Sequence, residues 1–192
     1  MSVIVALKEN ETIYMGADTQ ITAGNKKENG LNESSFKISK LDNDILVGFC
    51  GNLSQKQKIL SVKNLFCLDK NNELSKRHIV QSIIPKLIEI VSSSENKECS
   101  LLVSILLAHK NSLFKITPSF DVIKINEYSK AGAGLLFIDY PIQNGIDLSP
   151  EKRILNALQE SAKRTESVSG PYVLIDTESL SFKIFDLGGN NF

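Results

Sequence analysis

The chain has 192 residues, 42% of them hydrophobic and 23% charged, and its 22 Lys and Arg balance 22 Asp and Glu to a formal charge of +0. This length suits one domain spanning residues 1–192 with one large core. The absence of a basic excess or cluster argues against a grip on nucleic acid through its phosphates.

From the N-terminus, Val3–Leu7 and Thr12–Ala17 are short β-branched, apolar runs separated by Lys8-Glu9-Asn10-Glu11, the pattern of a hairpin. The start, Met1-Ser2-Val3-Ile4, has no basic leader and turns polar at Lys8, unlike a signal peptide. Gly24–Asn32 is polar and reads as a loop. Phe36–Leu41 and Ile45–Cys50 form a second predicted hairpin, turning at Asp42-Asn43-Asp44. A helix is predicted over Asn52–Leu68, with Asn52 or Ser54 as its cap, and a second over Ser75–Val91, kinked or broken at Pro85. Leu65, Phe66 and Leu68 near the first helix end read equally as an exposed apolar patch that association would hide and as residues packed on their own sheet. Ser92–Glu98 is a polar linker.

Three strands are predicted next, at Leu101–Ala108, Leu113–Thr117 and Asp121–Ile125. Gly132–Gly134 reads as a turn and Leu135–Gln143 as a helix. Ser149-Pro150-Glu151-Lys152 has the form of a helix start, with the helix running to about Arg164. Pro171–Asp176 and Ser181–Phe185 complete the strands. Helices segregated from antiparallel hairpins indicate an α+β fold of two sheets covered by helices. The longest apolar run, Leu101–Ala108, falls well short of the roughly 18 residues a membrane span needs. Cys50, Cys67 and Cys99 are odd in number and have apolar neighbours, so they read as reduced thiols of a cytoplasmic protein. With two His and no Cys-x-x-Cys, neither a zinc site nor another metal or cofactor is expected.

Ser2 is the first candidate for chemistry. A methionine followed by a small residue is normally excised, which would leave Ser2 with a free α-amine. That amine has an ordinary pKa of about 7.7–8.0 and can serve as the base for its own hydroxyl. Many proteins begin Met-Ser, so the dipeptide alone carries little.

Its context carries more. Gly16-Ala17-Asp18-Thr19-Gln20-Ile21-Thr22-Ala23-Gly24-Asn25 closes one predicted strand, and Val47-Gly48-Phe49-Cys50-Gly51 closes another before a helix. With Ser2 heading the first strand, these stretches resemble the proteasome β-subunit family, and within it the HslV-type peptidases. The resemblance covers residues 2–60 and resumes at Gly132-Ala133-Gly134, at the helix after Ser149 and at Arg164-Thr165-Glu166-Ser167-Val168-Ser169-Gly170. It implies a four-layer α-β-β-α sandwich of two antiparallel sheets.

The resemblance also assigns roles. Ser2 would be the nucleophile, Asp18 would orient a lysine, and Lys37 would be that lysine, lowering the pKa of the amine. Lys40 competes with Lys37 for this place, and Asp18 by itself, without the resemblance, reads rather as a strand-end turn acid. Gly51 would offer its backbone N–H to an oxyanion, and Glu166 and Ser169 would support the nucleophile. Gln20, Thr22, Cys50, Gly132 and Gly134 would border the substrate. Three departures stand out: serine replaces the family's threonine, Ala133 replaces the serine of a Gly-Ser-Gly turn, and Glu166 replaces an aspartate. The function implied is an N-terminal nucleophile endopeptidase acting on unfolded protein or peptide within homo-oligomeric rings, with an ATPase unfoldase as a possible partner. A ring subunit with its chemistry lost and a small-molecule amidase are the alternatives.

Overall fold

The computed structural model describes residues 2–23, 26–30, 32–92 and 100–186. Strands β1 (Val3–Glu9) and β2 (Thr12–Asp18) form the first hairpin, with Leu7 opposite Tyr14 and Glu9 opposite Thr12. Asn10 takes the left-handed conformation, φ 55°, which an Asn tolerates at such a tight turn. The predicted loop at Gly24–Asn32 is corrected in part, because β3 (Gln20–Ala23) pairs with β4 (Lys26–Asn29) in a small hairpin of its own. Its described side chains beyond Ile21 are exposed, so no apolar alternation marked the second strand.

Strands β5 (Ile38–Lys40), β6 (Leu46–Gly51), β7 (Val103–His109), β8 (Ser112–Ile116) and β9 (Val122–Ile125) form one antiparallel sheet in chain order. The other five-stranded sheet runs β10-β1-β2-β11-β12, completed by β10 (Tyr128–Gly132), β11 (Tyr172–Asp176) and β12 (Lys183–Phe185). β10 is missing from the sequence reading. It is an edge strand whose Tyr128-Ser129-Lys130-Ala131-Gly132 offers little hydrophobic alternation, and its pairing with β1 holds it in place.

Helix α1 (Leu53–Ser61) starts where expected, with the Asn52 side chain accepting the Gln55 N–H at 2.9 Å. It ends well before Leu68: Val62 is extended and Asn64 is left-handed, φ 56°. Leu65 and Phe66 then turn inward, 1% and 5% exposed, and Leu68 packs against the same cluster. Of the two readings of these residues, packing on their own sheet is the one observed, with Leu68 partly buried at its margin. Next come α2 (Lys76–His78), a π-helical turn at Ile79–Ile83 and α3 (Ile84–Ser92). Pro85 cannot donate to the carbonyl four residues back and its ring crowds that carbonyl. The widened turn just before it relieves both problems. The predicted linker at Ser92–Glu98 lies outside the described residues apart from Ser92, which closes α3, and so does Cys99. The predicted helix at Leu135–Gln143 is a 3₁₀ turn at Leu135–Phe137 followed by α4 (Asp139–Asn144). The last helix, α5 (Pro150–Arg164), has Ser149 as its cap and proline in its first turn.

Three apolar clusters separate four layers. Val3, Val5 and Leu7 on one face of β1 meet Ile154, Leu155 and Leu158 of α5. Ile4 and Ala6 on the opposite face meet Leu46, Leu106 and Ala108 of the second sheet. Val47, Phe49, Ile105 and Leu107 on that sheet's outer face meet Ile59, Ile79, Ile83 and Leu87 of the other helical layer. The continuous apolar runs of β1 and β7 follow directly, since each strand is buried on both faces. The architecture is an α-β-β-α sandwich. No helix among the described residues is long and apolar enough to cross a membrane.

Large apolar side chains do reach the surface elsewhere. Leu136 and Tyr140, at and beside α4, are 87% and 75% exposed, and Ile146 just beyond is 75% exposed.

Candidate active site

Ser2 stands at the head of β1, half-buried, with Val3 opposite Gly132 of β10. The Ser2 carbonyl accepts the Ala133 N–H at 2.7 Å and the Cys50 thiol at 3.1 Å. Burial pushes the Cys50 thiol up to about 11, so it stays protonated and serves as a donor. Gly132 has φ 114°, and a Cβ placed there would lie 1.8 Å from the Ser2 carbonyl oxygen. Glycine is therefore the residue that lets the strand head sit against this turn. Gly132→Ala is expected to displace Ser2 and to lower stability by about 1–3 kcal/mol. Thermal unfolding of the variant checks this, and an unchanged Tm would refute the close approach.

Asp18 closes β2 directly behind this point and is wholly buried. Its Oδ1 accepts the Val3 N–H at 2.8 Å, and its Oδ2 lies 2.6 Å from Lys37 Nζ. One carboxylate thus ties a lysine to the residue that follows Ser2. Burial pushes the Asp18 carboxyl up and the Lys37 ammonium down, and the attraction between the two opposes both shifts. Lys37 precedes β5, where its carbonyl accepts the Phe49 N–H at 2.8 Å. Lys40, its rival, lies exposed on β5.

Ser2, Lys37 and Gly51 line one cavity of about 410 Å³, shared with Gln20, Phe49 and Lys56. Gly51 is the last residue of β6, opposite Val103 of β7. The next residue, Asn52, donates its N–H to the Leu102 carbonyl at 3.0 Å. Bonded and non-bonded pairs alternate along an antiparallel ladder, so the Gly51 N–H turns away from β7. It faces the β5 side, beyond the point where β5 begins at Ile38. A side chain could not follow, because φ is 137° and a Cβ would meet the Leu102 carbonyl oxygen at 2.2 Å. The wall of the cavity therefore combines a hydroxyl-bearing residue, a buried cation and a backbone donor. That set suits attack on a carbonyl with stabilisation of the oxyanion formed.

Other residues singled out in the sequence lie elsewhere. Glu166 has a side chain 95% exposed and paired with Lys27 at 3.4 Å, and its backbone carbonyl accepts the Gln20 amide N–H at 3.1 Å. Ser169 is half-buried, and neither Glu166 nor Ser169 lines the cavity. Cys50 sits beneath Ser2 rather than in the cavity wall. Gly134, left-handed at φ 71°, starts the 3₁₀ turn, and its carbonyl accepts the Ser161 hydroxyl at 3.2 Å. Thr22 lies in β3 opposite Lys27, with its side chain outside the described ones.

Lys56 is a wall residue that no sequence motif marks. Only 5% exposed, it reaches the Phe36 carbonyl from α1. The available signal was helical spacing, because Lys56 lies one turn before Ile59 on the buried face of α1.

A family model described as "Proteasome subunit" matches residues 2–170. Among solved structures, Thiobacillus denitrificans BPH superposes with a TM-score of 0.74 at 19% identity, over 93% of this chain and 98% of that one. The same protein is also known in complex with epoxomicin. Anbu, an ancestral beta-subunit from Yersinia bercovieri, gives 0.72 at 15% identity, over 95% of this chain and 86% of that one. Eukaryotic HslV from Trypanosoma brucei gives 0.62 at 14% identity, over 91% and 98%. At such identities these likenesses concern the fold. No match is found among curated proteins.

Proposed function

The chain belongs to the proteasome subunit family, and from that premise we propose that it is an N-terminal nucleophile endopeptidase with Ser2 as nucleophile once Met1 is removed. The observation that carries this reading is the shared cavity of Ser2, Gly51 and Lys37, with Lys37 held by Asp18 at 2.6 Å.

The Ser2 α-amine accepts the hydroxyl proton as Oγ bonds to the substrate carbonyl carbon. The carbonyl oxygen becomes an oxyanion facing the Gly51 N–H. The bond to the leaving nitrogen then breaks as the amine passes its proton to that nitrogen, and an ester on Ser2 remains. Water attacks the ester, giving its proton to the same amine, and the acid product leaves with Oγ reprotonated. The Lys37 cation favours the neutral amine and the developing negative charge. Asp18 keeps that cation in place.

We assign the chain to closed homo-oligomeric rings, in which an ATPase unfoldase would feed unfolded protein to enclosed sites. The exposed Leu136, Tyr140 and Ile146 are apolar area that association would cover. Two observations favour a second reading, a ring subunit without chemistry. The Gly132-Ala133-Gly134 turn offers no side-chain hydroxyl, and the Glu166 carboxylate points to Lys27 rather than to Ser2.

Sedimentation combined with hydrolysis of a chemically unfolded protein separates the readings. The peptidase reading expects stacked hexameric or heptameric rings that degrade the protein. Rings without hydrolysis would establish the structural subunit. A 21.2 kDa monomer at micromolar concentration would contradict both and favour an amidase for small molecules.

A further inference from the structure

The cavity beside Ser2 holds two lysines, Lys37 and Lys56, and among the described residues no Asp or Glu contributes to its wall. Their situations differ. Lys37 is neutralised by a fully buried carboxylate 2.6 Å away. Lys56 is 5% exposed, and its hydrogen-bond partner among the described residues is the neutral Phe36 carbonyl. The Asp18 charge is taken by Lys37, so the described side chains of the wall leave one positive charge in excess.

A buried ammonium without a counter-ion is costly. Burial first, and then repulsion from Lys37, lower the Lys56 ammonium to about 8, which still leaves it largely charged at neutral pH. The hydrogen bond to the Phe36 carbonyl satisfies one donor of this group but supplies no opposite charge. The group becomes favourable when an anion enters. The anion would then meet a cation that is itself only 5% exposed, where the attraction is screened less than in bulk water.

Resting on the peptidase reading, we propose that Lys56 is a specificity-determining residue, selecting substrates in which the residue supplying the attacked carbonyl is acidic. With that carbonyl between Ser2 and the Gly51 N–H, the side chain of the same residue enters the remainder of the 410 Å³ cavity. A glutamate or aspartate carboxylate there meets the unpaired ammonium on α1. A lysine or arginine at the same place adds a third cation and is rejected. Phe49, also on the wall, packs against the aliphatic part of the entering chain.

The experiment compares fluorogenic peptide amides that differ only at this residue, carrying Glu, Gln, Leu or Lys. The wild-type chain is expected to favour Glu over Gln by about tenfold or more in kcat/KM, with Lys poorest. Lys56→Gln is expected to bring the Glu-to-Gln ratio to about one, whereas Lys56→Arg, which keeps the charge, restores it. Equal rates for Glu and Gln in the wild-type chain would overturn the proposal without recourse to any variant. A preference that survives Lys56→Gln in a folded chain would also overturn it. Failure to cleave any of the four peptides would sink the peptidase reading alone. Binding of the same peptides to Ser2→Ala protein then decides: tighter binding of Glu than of Gln supports the role of Lys56, and equal binding contradicts it.

Discussion

Ser2→Ala is expected to lower peptide hydrolysis by about 10⁴-fold or more, because among the described residues of the cavity no other, Ser35 and Ser54 included, would carry both a hydroxyl and its own α-amine. Retention of Met1 should have the same consequence with every side chain intact. The nitrogen of Ser2 would then be an amide, with no basic lone pair to accept the hydroxyl proton. Ser2→Thr, by contrast, keeps hydroxyl and amine and adds the methyl that restricts the rotamer, so activity should persist. Ser2 is half-buried at a strand head, and its carbonyl makes the contacts to Ala133 and Cys50. All three chains should therefore melt close to the wild type. Peptide hydrolysis and thermal unfolding on the same preparations make the test. A Met1-retaining chain as active as the processed one would refute a base at the N-terminus.

Breaking the buried pair should produce the largest stability change. Asp18→Asn leaves the Lys37 ammonium buried beside a neutral amide, and Lys37→Met leaves the Asp18 carboxylate unpaired. Removing one member of a buried ion pair costs about 3–5 kcal/mol, because the remaining charge keeps its desolvation penalty. For a chain of this length that corresponds to a fall in Tm of roughly 6–20 °C. The double variant Asp18→Asn, Lys37→Met should lose less than the sum of the two, since it leaves no orphaned charge. Activity should fall in all three, because each variant removes either the Lys37 cation beside Ser2 or the carboxylate that holds it. Single variants that melt within about 1 kcal/mol of the wild type would show the pair to be better solvated than its burial implies.

Much of the framework was readable because it rests on local chemistry. The hairpin of β1 and β2 shows as two β-branched runs around a polar turn, and Asn52, Ser75 and Ser149 each cap a helix in the structure. The elements that escaped are those whose reasons are not local. β10 and β4 carry weak apolar patterns and exist through their partners, β1 and β3. The first helix was read too long because Leu65 and Phe66 keep a helical spacing in sequence while packing from a turn. At the site, the pairing of Asp18 with Lys37 could be anticipated from the resemblance, whereas composition alone could not distinguish Lys37 from Lys40. Their separation depends on where β5 begins. Glu166 illustrates the opposite case: its position suggested a place near the nucleophile, and the chain there turns its carboxylate outward to Lys27. Lys56 was hidden because a lysine in an amphipathic helix is normally solvated.

Catalysis by this chain requires a serine that is both open to substrate and activated at its own N-terminus. The measurement that tests this most directly is the mass of the native chain after treatment with a β-lactone probe, followed by peptide mapping. A chain lighter by Met1 and heavier by one acylating group is expected, with that group on Ser2 and absent from the Ser2→Ala chain. A processed chain that remains unlabelled at Ser2, or a label that persists in Ser2→Ala, would contradict it.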